Sequence, residues 1–152
     1  MKIIIVKKEN FTEIKKFLKI LAPNAEVDFI EPENLEKSSA KIKTGAGAPD
    51  ETFLFYNFDD ESLREAIKDL EFSASGGRKI SFGLSGSADF FSSDENTTDD
   101  GINFKLNYKG SSVPIWLKSQ NREDILSCLA AISVAVIFGA NMVEVSEKLK
   151  VM

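Results

Sequence analysis

The chain has 152 residues, 43% of them hydrophobic and 28% charged, with 24 acidic against 19 basic side chains and a formal net charge of −5. That composition belongs to one globular domain with a sizeable core, and the acidic balance disfavours a nucleic-acid surface, which needs clustered Lys and Arg to neutralise phosphates. Histidine is absent and cysteine occurs once, so the chain can hold no internal disulfide, no histidine metal ligand and no Ser-His-Asp or Cys-His pair, and its lone thiol fits a reducing, cytoplasmic setting.

"KIIIV", Lys2 to Val6, is a β-branched run that predicts a buried strand. Its apolar core of four residues is too short for a secretory leader. "NFTEIKKFLKILAP" predicts a helix: Asn10 can accept the first-turn amides, Glu13 completes a capping box, and Ile14, Phe17, Leu18 and Leu21 form one stripe. Pro23 stops it, and Lys15, Lys16 and Lys19 make a solvated face. Glu26 to Glu31 and Thr52 to Phe58 predict the second and third strands. The polar "PENLEKSSAKIKTGAGAPD" between them reads as a short helix followed by a loop.

Asp59 or Asp60 can cap a following helix whose inward stripe is Leu63, Ile67 and Leu70, and "GGRKISFG", Gly76 to Gly83, returns to a strand. Strands alternating with amphipathic helices imply βαβ units, hence a parallel sheet with flanking helices. Beyond Gly83 the pattern changes. "SADFFSS" predicts a strand, "SSDENTTDDG" a solvated acidic loop, and "INFKLNY" alternates, with Ile102, Phe104, Leu106 and Tyr108 on one side. "KGSS" turns the chain into "VPIWLK", where Pro114 lacks an amide donor, so the strand lies at an edge or holds Pro114 at an unpaired position. These strands predict a small antiparallel sheet.

The stretch Ile125 to Ala140 is 16 residues long with two serines and is preceded by Arg122-Glu123-Asp124. It is too short to span a membrane and predicts a helix capped by Asn121 with Asp124, and stopped by Gly139. Ile125, Leu129, Ile132 and Val136 give it a large apolar face, and Ser127, Ala131 and Ala135 a small one, so it should lie between layers. Asn141 and Glu144 open a last amphipathic helix. The expected organisation is a single α/β domain over residues 1–152, with a βαβ part at 1–83, antiparallel strands at 84–118 and helices at 119–152.

Few motifs carry chemistry. "KIKTGAGAP" lacks the spacing of a phosphate loop, "GLSGSA" reads as a strand-to-strand turn, and Cys128 sits in an apolar helix as an inert thiol. "YNFDDESL" falls where a parallel strand meets a helix, the edge at which α/β proteins place ligands. Asn57, Asp59 and Asp60, with Gly83 and Ser85, are therefore the candidate nucleotide- or ligand-binding residues. Helix capping by the aspartates is the competing reading.

Read together, "YNFDD", "KISFGLSGSADF", "INFKLNYKGSSVPIWL" and "LAAISVAVIFGANMVEVSEKL" resemble, over about residues 52 to 150, the later part of the central ATP-binding domain of the Mur ligase family. Within the family the pattern is nearest the member that adds D-alanyl-D-alanine. The resemblance implies peptidoglycan-precursor chemistry with ATP and Mg²⁺ in the parent enzymes. The family's Gly-Lys-Thr/Ser phosphate loop has no counterpart here. Its His-Asn pair falls at Glu123 and Asp124, and its metal-binding Glu and His, modified lysine and C-terminal domain have no matching segment. The expectation is thus a non-catalytic or incomplete Mur-ligase-like module, with no catalytic residues, metal or cofactor of its own. A nucleotide- or UDP-sugar-binding module, or a subunit completed by another ligase chain, are the alternatives; neither nucleic acid nor membrane is an expected partner.

Overall fold

The computed structural model describes residues 2–7, 11–34, 52–68 and 78–152. Strands β1 (Lys2–Val6), β2 (Val27–Ile30), β3 (Thr52–Asn57), β4 (Arg78–Gly83), β5 (Phe90–Thr98), β6 (Gly101–Tyr108) and β7 (Ser111–Leu117) form one sheet in the order β2-β1-β3-β4-β5-β6-β7. Strands β2, β1, β3 and β4 are parallel. Strand β5 joins β4 in parallel through Phe82↔Phe90 and Gly83↔Phe91, then pairs antiparallel with β6, as β6 does with β7. The predicted antiparallel strands are present, but they extend the parallel sheet rather than forming a separate one.

Helices α1 (Phe11–Leu21), α2 (Glu61–Lys68), α3 (Glu123–Ile137) and α4 (Met142–Lys150) cover the sheet. Alternation along the strands sorts the core. Ile3, Ile5, Phe53, Phe55, Ile80 and Phe82 pack with α1, α3 and α4, while Ile4, Val6 and Leu54 pack with Leu63 and Ile67 of α2. The stripe Ile14, Phe17, Leu18 and Leu21 is buried as its spacing implies.

Helix α3 is buried on nearly every side, from Ile125 to Ala135 with few interruptions. It is held between the sheet and α1, as an apolar helix without a polar face requires. Its start differs by one residue from the sequence reading. Arg122 occupies the cap position, but Asn121 Oδ1 still accepts from Glu123 N at 3.0 Å, and Asp124 bonds Ser119 Oγ. At the other end Gly139 adopts φ +105°, the left-handed turn that ends the helix. Asn141 caps α4 through Val143 N at 2.8 Å. No helix among the described residues is long and apolar enough to cross a membrane.

The expected acidic loop "SSDENTTDDG" is a correction. Ser92 to Thr98 belongs to β5, and only Asp99 and Asp100 turn the chain. Backbone pairing to β6 outweighs the polar composition there, because the far end of the strand leaves the core and its side chains are solvated. Four readings fall outside the described residues: the Asn10 cap, the helix-and-loop segment with "KIKTGAGAP" after Asn34, Leu70 of the α2 stripe, and Gly76 and Gly77 at the start of β4.

Burial pushes the Cys128 thiol well above its ordinary value of 9.0. The folded state thus holds this proton more tightly than the unfolded chain. The resulting stability is full below pH 9 and is lost as pH rises beyond it. Native protein should resist alkylation at pH 8 and react fully in 6 M guanidinium; fast native labelling would show that α3 opens readily.

Candidate functional site

In a parallel sheet the crevice beyond the carboxyl ends of the strands is where ligands are placed, at the point where strand order reverses. Here β1 lies between β2 and β3, so that point is the edge bearing Lys7 after β1, Asn57 at the end of β3 and Gly83 at the end of β4.

Four of the five candidate residues converge at this edge. Asn57 Oδ1 accepts from Asp59 N at 3.0 Å, folding the chain back after β3. The Asp59 carboxylate then crosses to the neighbouring strand end, where Oδ2 accepts from Leu84 N at 2.7 Å and Oδ1 from Ser85 N at 3.2 Å. Gly83 makes room for it: a Cβ there would lie 2.8 and 2.9 Å from the two carboxylate oxygens. Ser85 Oγ accepts from Ser87 N at 3.3 Å, and Ala88 N donates to Ser85 O at 3.1 Å, so the turn is closed on itself. Asp60 does something else. Its Oδ1 accepts from Leu63 N at 3.1 Å, which makes it the cap of α2. Below it, Arg64 donates to Phe58 O at 3.0 Å and stacks over the Phe58 ring at 4.7 Å.

These bonds form a strut between β3 and β4. Two successive backbone amides that could cradle an anion are occupied by the chain's own carboxylate.

A second feature of the edge was not marked as functional from the sequence. Lys7 Nζ donates to Ser127 Oγ at 3.0 Å, joining the end of β1 to the N-terminal part of α3. Burial lowers the Lys7 pKa, and Glu123, Asp124 and Glu13 partly restore it. A lysine directly after a buried strand was the available signal. Deeper on the α2 face, Asp89 Oδ2 accepts from Ser81 N at 2.8 Å and from Ser81 Oγ at 3.1 Å. Burial, and then the Asp89 charge, raise the pKa of neighbouring Tyr56.

The described part of this edge offers Mg-ATP no free anion cradle. The connection from β1 to α1 is Lys7-Lys8-Glu9-Asn10, which contains no glycine for a phosphate-cradling turn. The amides at Leu84 and Ser85 are taken, and Lys7 is turned to Ser127 in the field of three carboxylates, Glu123, Asp124 and Glu13. No group of three His, Cys, Asp or Glu side chains disposed to hold a metal occurs among the described residues.

No protein-family model matches the chain, and no curated protein matches it at a significant level. Solved structures do. A UDP-N-acetylmuramoyl-L-alanyl-D-glutamate–2,6-diaminopimelate ligase aligns at TM-score 0.76 and 12% identity, covering 100% of this chain and 46% of the other. MurF from Acinetobacter baumannii aligns at TM-score 0.66 and 13% identity, covering 98% and 45%. MurF ligase from Thermotoga maritima, solved with ADP, aligns at 0.63 and 12%, covering 95% and 48%. The chain therefore has the fold of part of a Mur ligase and spans about half the length of these proteins. The likeness reaches the first fifty residues as well, further than the sequence motifs did.

Proposed function

We propose that this chain is a Mur-ligase-like module of peptidoglycan-precursor synthesis that contributes fold and contacts, not self-sufficient ligation. It works as a non-catalytic piece or as part of a larger or split ligase. The observation that carries this reading is the Asp59 strut: the strand-end amides that would meet a phosphate or a substrate carboxylate already hold a carboxylate from the same chain. Ligation through an acyl phosphate needs free donors and Mg²⁺ at the transferred phosphoryl group. The glycine-free β1–α1 connection and the acidic start of α3 support the same view. Relation to the D-alanyl-D-alanine-adding member rests on the sequence motifs alone.

A thermal-shift titration tests the reading against a nucleotide-binding module. With Mg-ATP, ADP and UDP at several millimolar, the melting temperature should stay unchanged. A saturable rise would favour a ligand-binding module, since a site filled to about 100 times its Kd adds about 2.7 kcal/mol.

A further inference from the structure

Among the described residues, the antiparallel half of the sheet is covered on one side only. Ile115 and Leu117 of β7 and Ile102, Phe104 and Leu106 of β6 point into the core, and the alternate residues form the opposite face, over which no described helix packs. On that face Trp116 is 46% exposed, although tryptophan is a large apolar side chain usually buried over most of its surface. Asn103 lies directly across from it in the β6–β7 ladder, and Lys105 across from Pro114. Neither the Trp116 indole N–H nor the Asn103 carboxamide has a hydrogen-bond partner among the described residues, whereas the nearby Asn107 makes three such bonds. The β5 register shifts between Ser93 and Asn96, and Asp94 takes φ +52°. Its carboxylate meets Lys105 Nζ at 3.3 Å. Bulges of this kind re-aim a side chain on a sheet face. Together these groups line an open concavity of about 280 Å³.

We infer that this concavity is a binding site for the pyranose ring of a neutral carbohydrate, stacked on Trp116 and hydrogen-bonded by Asn103 and the Asp94–Lys105 pair. The C–H face of a pyranose is apolar and matches an indole, while its equatorial hydroxyls both donate and accept, as a carboxamide and an ion pair require. The charges of Asp94 and Lys105 cancel, so the site offers no preference for an anion, which separates it from a phosphate site. The volume suits one or two sugar rings and is small for a folded protein partner. It shares no residue with the strand-end cluster, and its outcome is independent of the ligase-like reading.

Trp116 is the only tryptophan, so its fluorescence reports this site alone. The intact chain is titrated with glucose, N-acetylglucosamine, cellobiose and N,N′-diacetylchitobiose to 50 mM, with inorganic phosphate as the charged control. Saturable quenching or a blue shift by at least one sugar, and none by phosphate, is the expected result. Asn103→Ala should weaken binding by about fivefold to tenfold, the loss of one or two hydrogen bonds. Trp116→Ala should abolish it by calorimetry while retaining the wild-type circular dichroism; if that variant fails to fold, the Asn103→Ala titration decides instead. Absence of saturable change with all four sugars overturns the proposal. So does an emission shift that follows protein concentration instead of sugar, which would make this face a contact between copies.

Discussion

Gly101→Ala should be among the most damaging single substitutions in this protein, at about 3 to 5 kcal/mol from combined backbone strain and overpacking. Gly101 opens β6 at φ +141°, a conformation that L side chains rarely adopt. A Cβ there would lie 2.0 Å from the Leu117 carbonyl oxygen and 3.0 Å from its carbon. The obstruction is backbone, not a flexible side-chain end. Leu117 is paired with Ile102 in the ladder, so relief requires β7 to part from β6 at that end, next to Trp116. Urea denaturation should show the loss as a lower midpoint, and native Trp116 emission should shift. Gly110→Ala is the matched control. Gly110 lies at φ +78° in the β6–β7 turn with nothing within 4 Å of a Cβ, so only the backbone term applies, about 1 kcal/mol. Equal effects at the two glycines would mean that the Leu117 contact has no energetic weight.

Gly83→Ala is expected to cost about 2 kcal/mol by a different route, through the charge-assisted bonds that it disrupts. The left-handed region is not involved at Gly83; what an added methyl meets is the Asp59 carboxylate at 2.8 to 2.9 Å. That carboxylate must withdraw, and Leu84 N and Ser85 N lose their acceptor. Asp59 stands at the surface, so water replaces part of what is lost, and the cost stays moderate. A double-mutant cycle isolates the contact. In an Asp59→Ala background the Gly83→Ala penalty should nearly vanish, giving a coupling energy of about 1 to 2 kcal/mol. Additive effects would show that Gly83 and Asp59 act separately and that the strut does not join β3 to β4.

The parallel half of the fold was legible because its signals are local. Runs such as "KIIIV" and "TFLFYNF" are short, rich in β-branched or aromatic residues and flanked by polar residues, which favours buried strands, and the α1 stripe fixed which face turns inward. The edge position of β7 was readable from Pro114. That residue lacks a donor, and its carbonyl accepts from Ser146 Oγ of α4 at 2.5 Å, away from β6.

What the sequence could not reveal lies in contacts between distant segments. Nothing in "SSDENTTDDG" marks it as strand, because its pairing is supplied by β6. Nothing in "NFDD" says which aspartate caps α2 and which reaches 25 residues ahead to Leu84. Four of the five candidate residues lie at one edge, but the chemistry they express depends on who bonds whom. Asp59 satisfies the amides, Asn57 shapes the turn, and Asp60 belongs to the helix. The Lys7–Ser127 bond spans 120 residues and has no local signature.

Mg²⁺-dependent ATP hydrolysis by the purified chain is the most direct measurement of the strand-end edge. Phosphate release should match that of buffer alone, for the wild-type chain and for Asp59→Ala alike, with Mg²⁺ or with EDTA. Hydrolysis that requires Mg²⁺ and disappears on replacement of Asn57 or Asp59 would contradict the assignment of that edge to a structural strut.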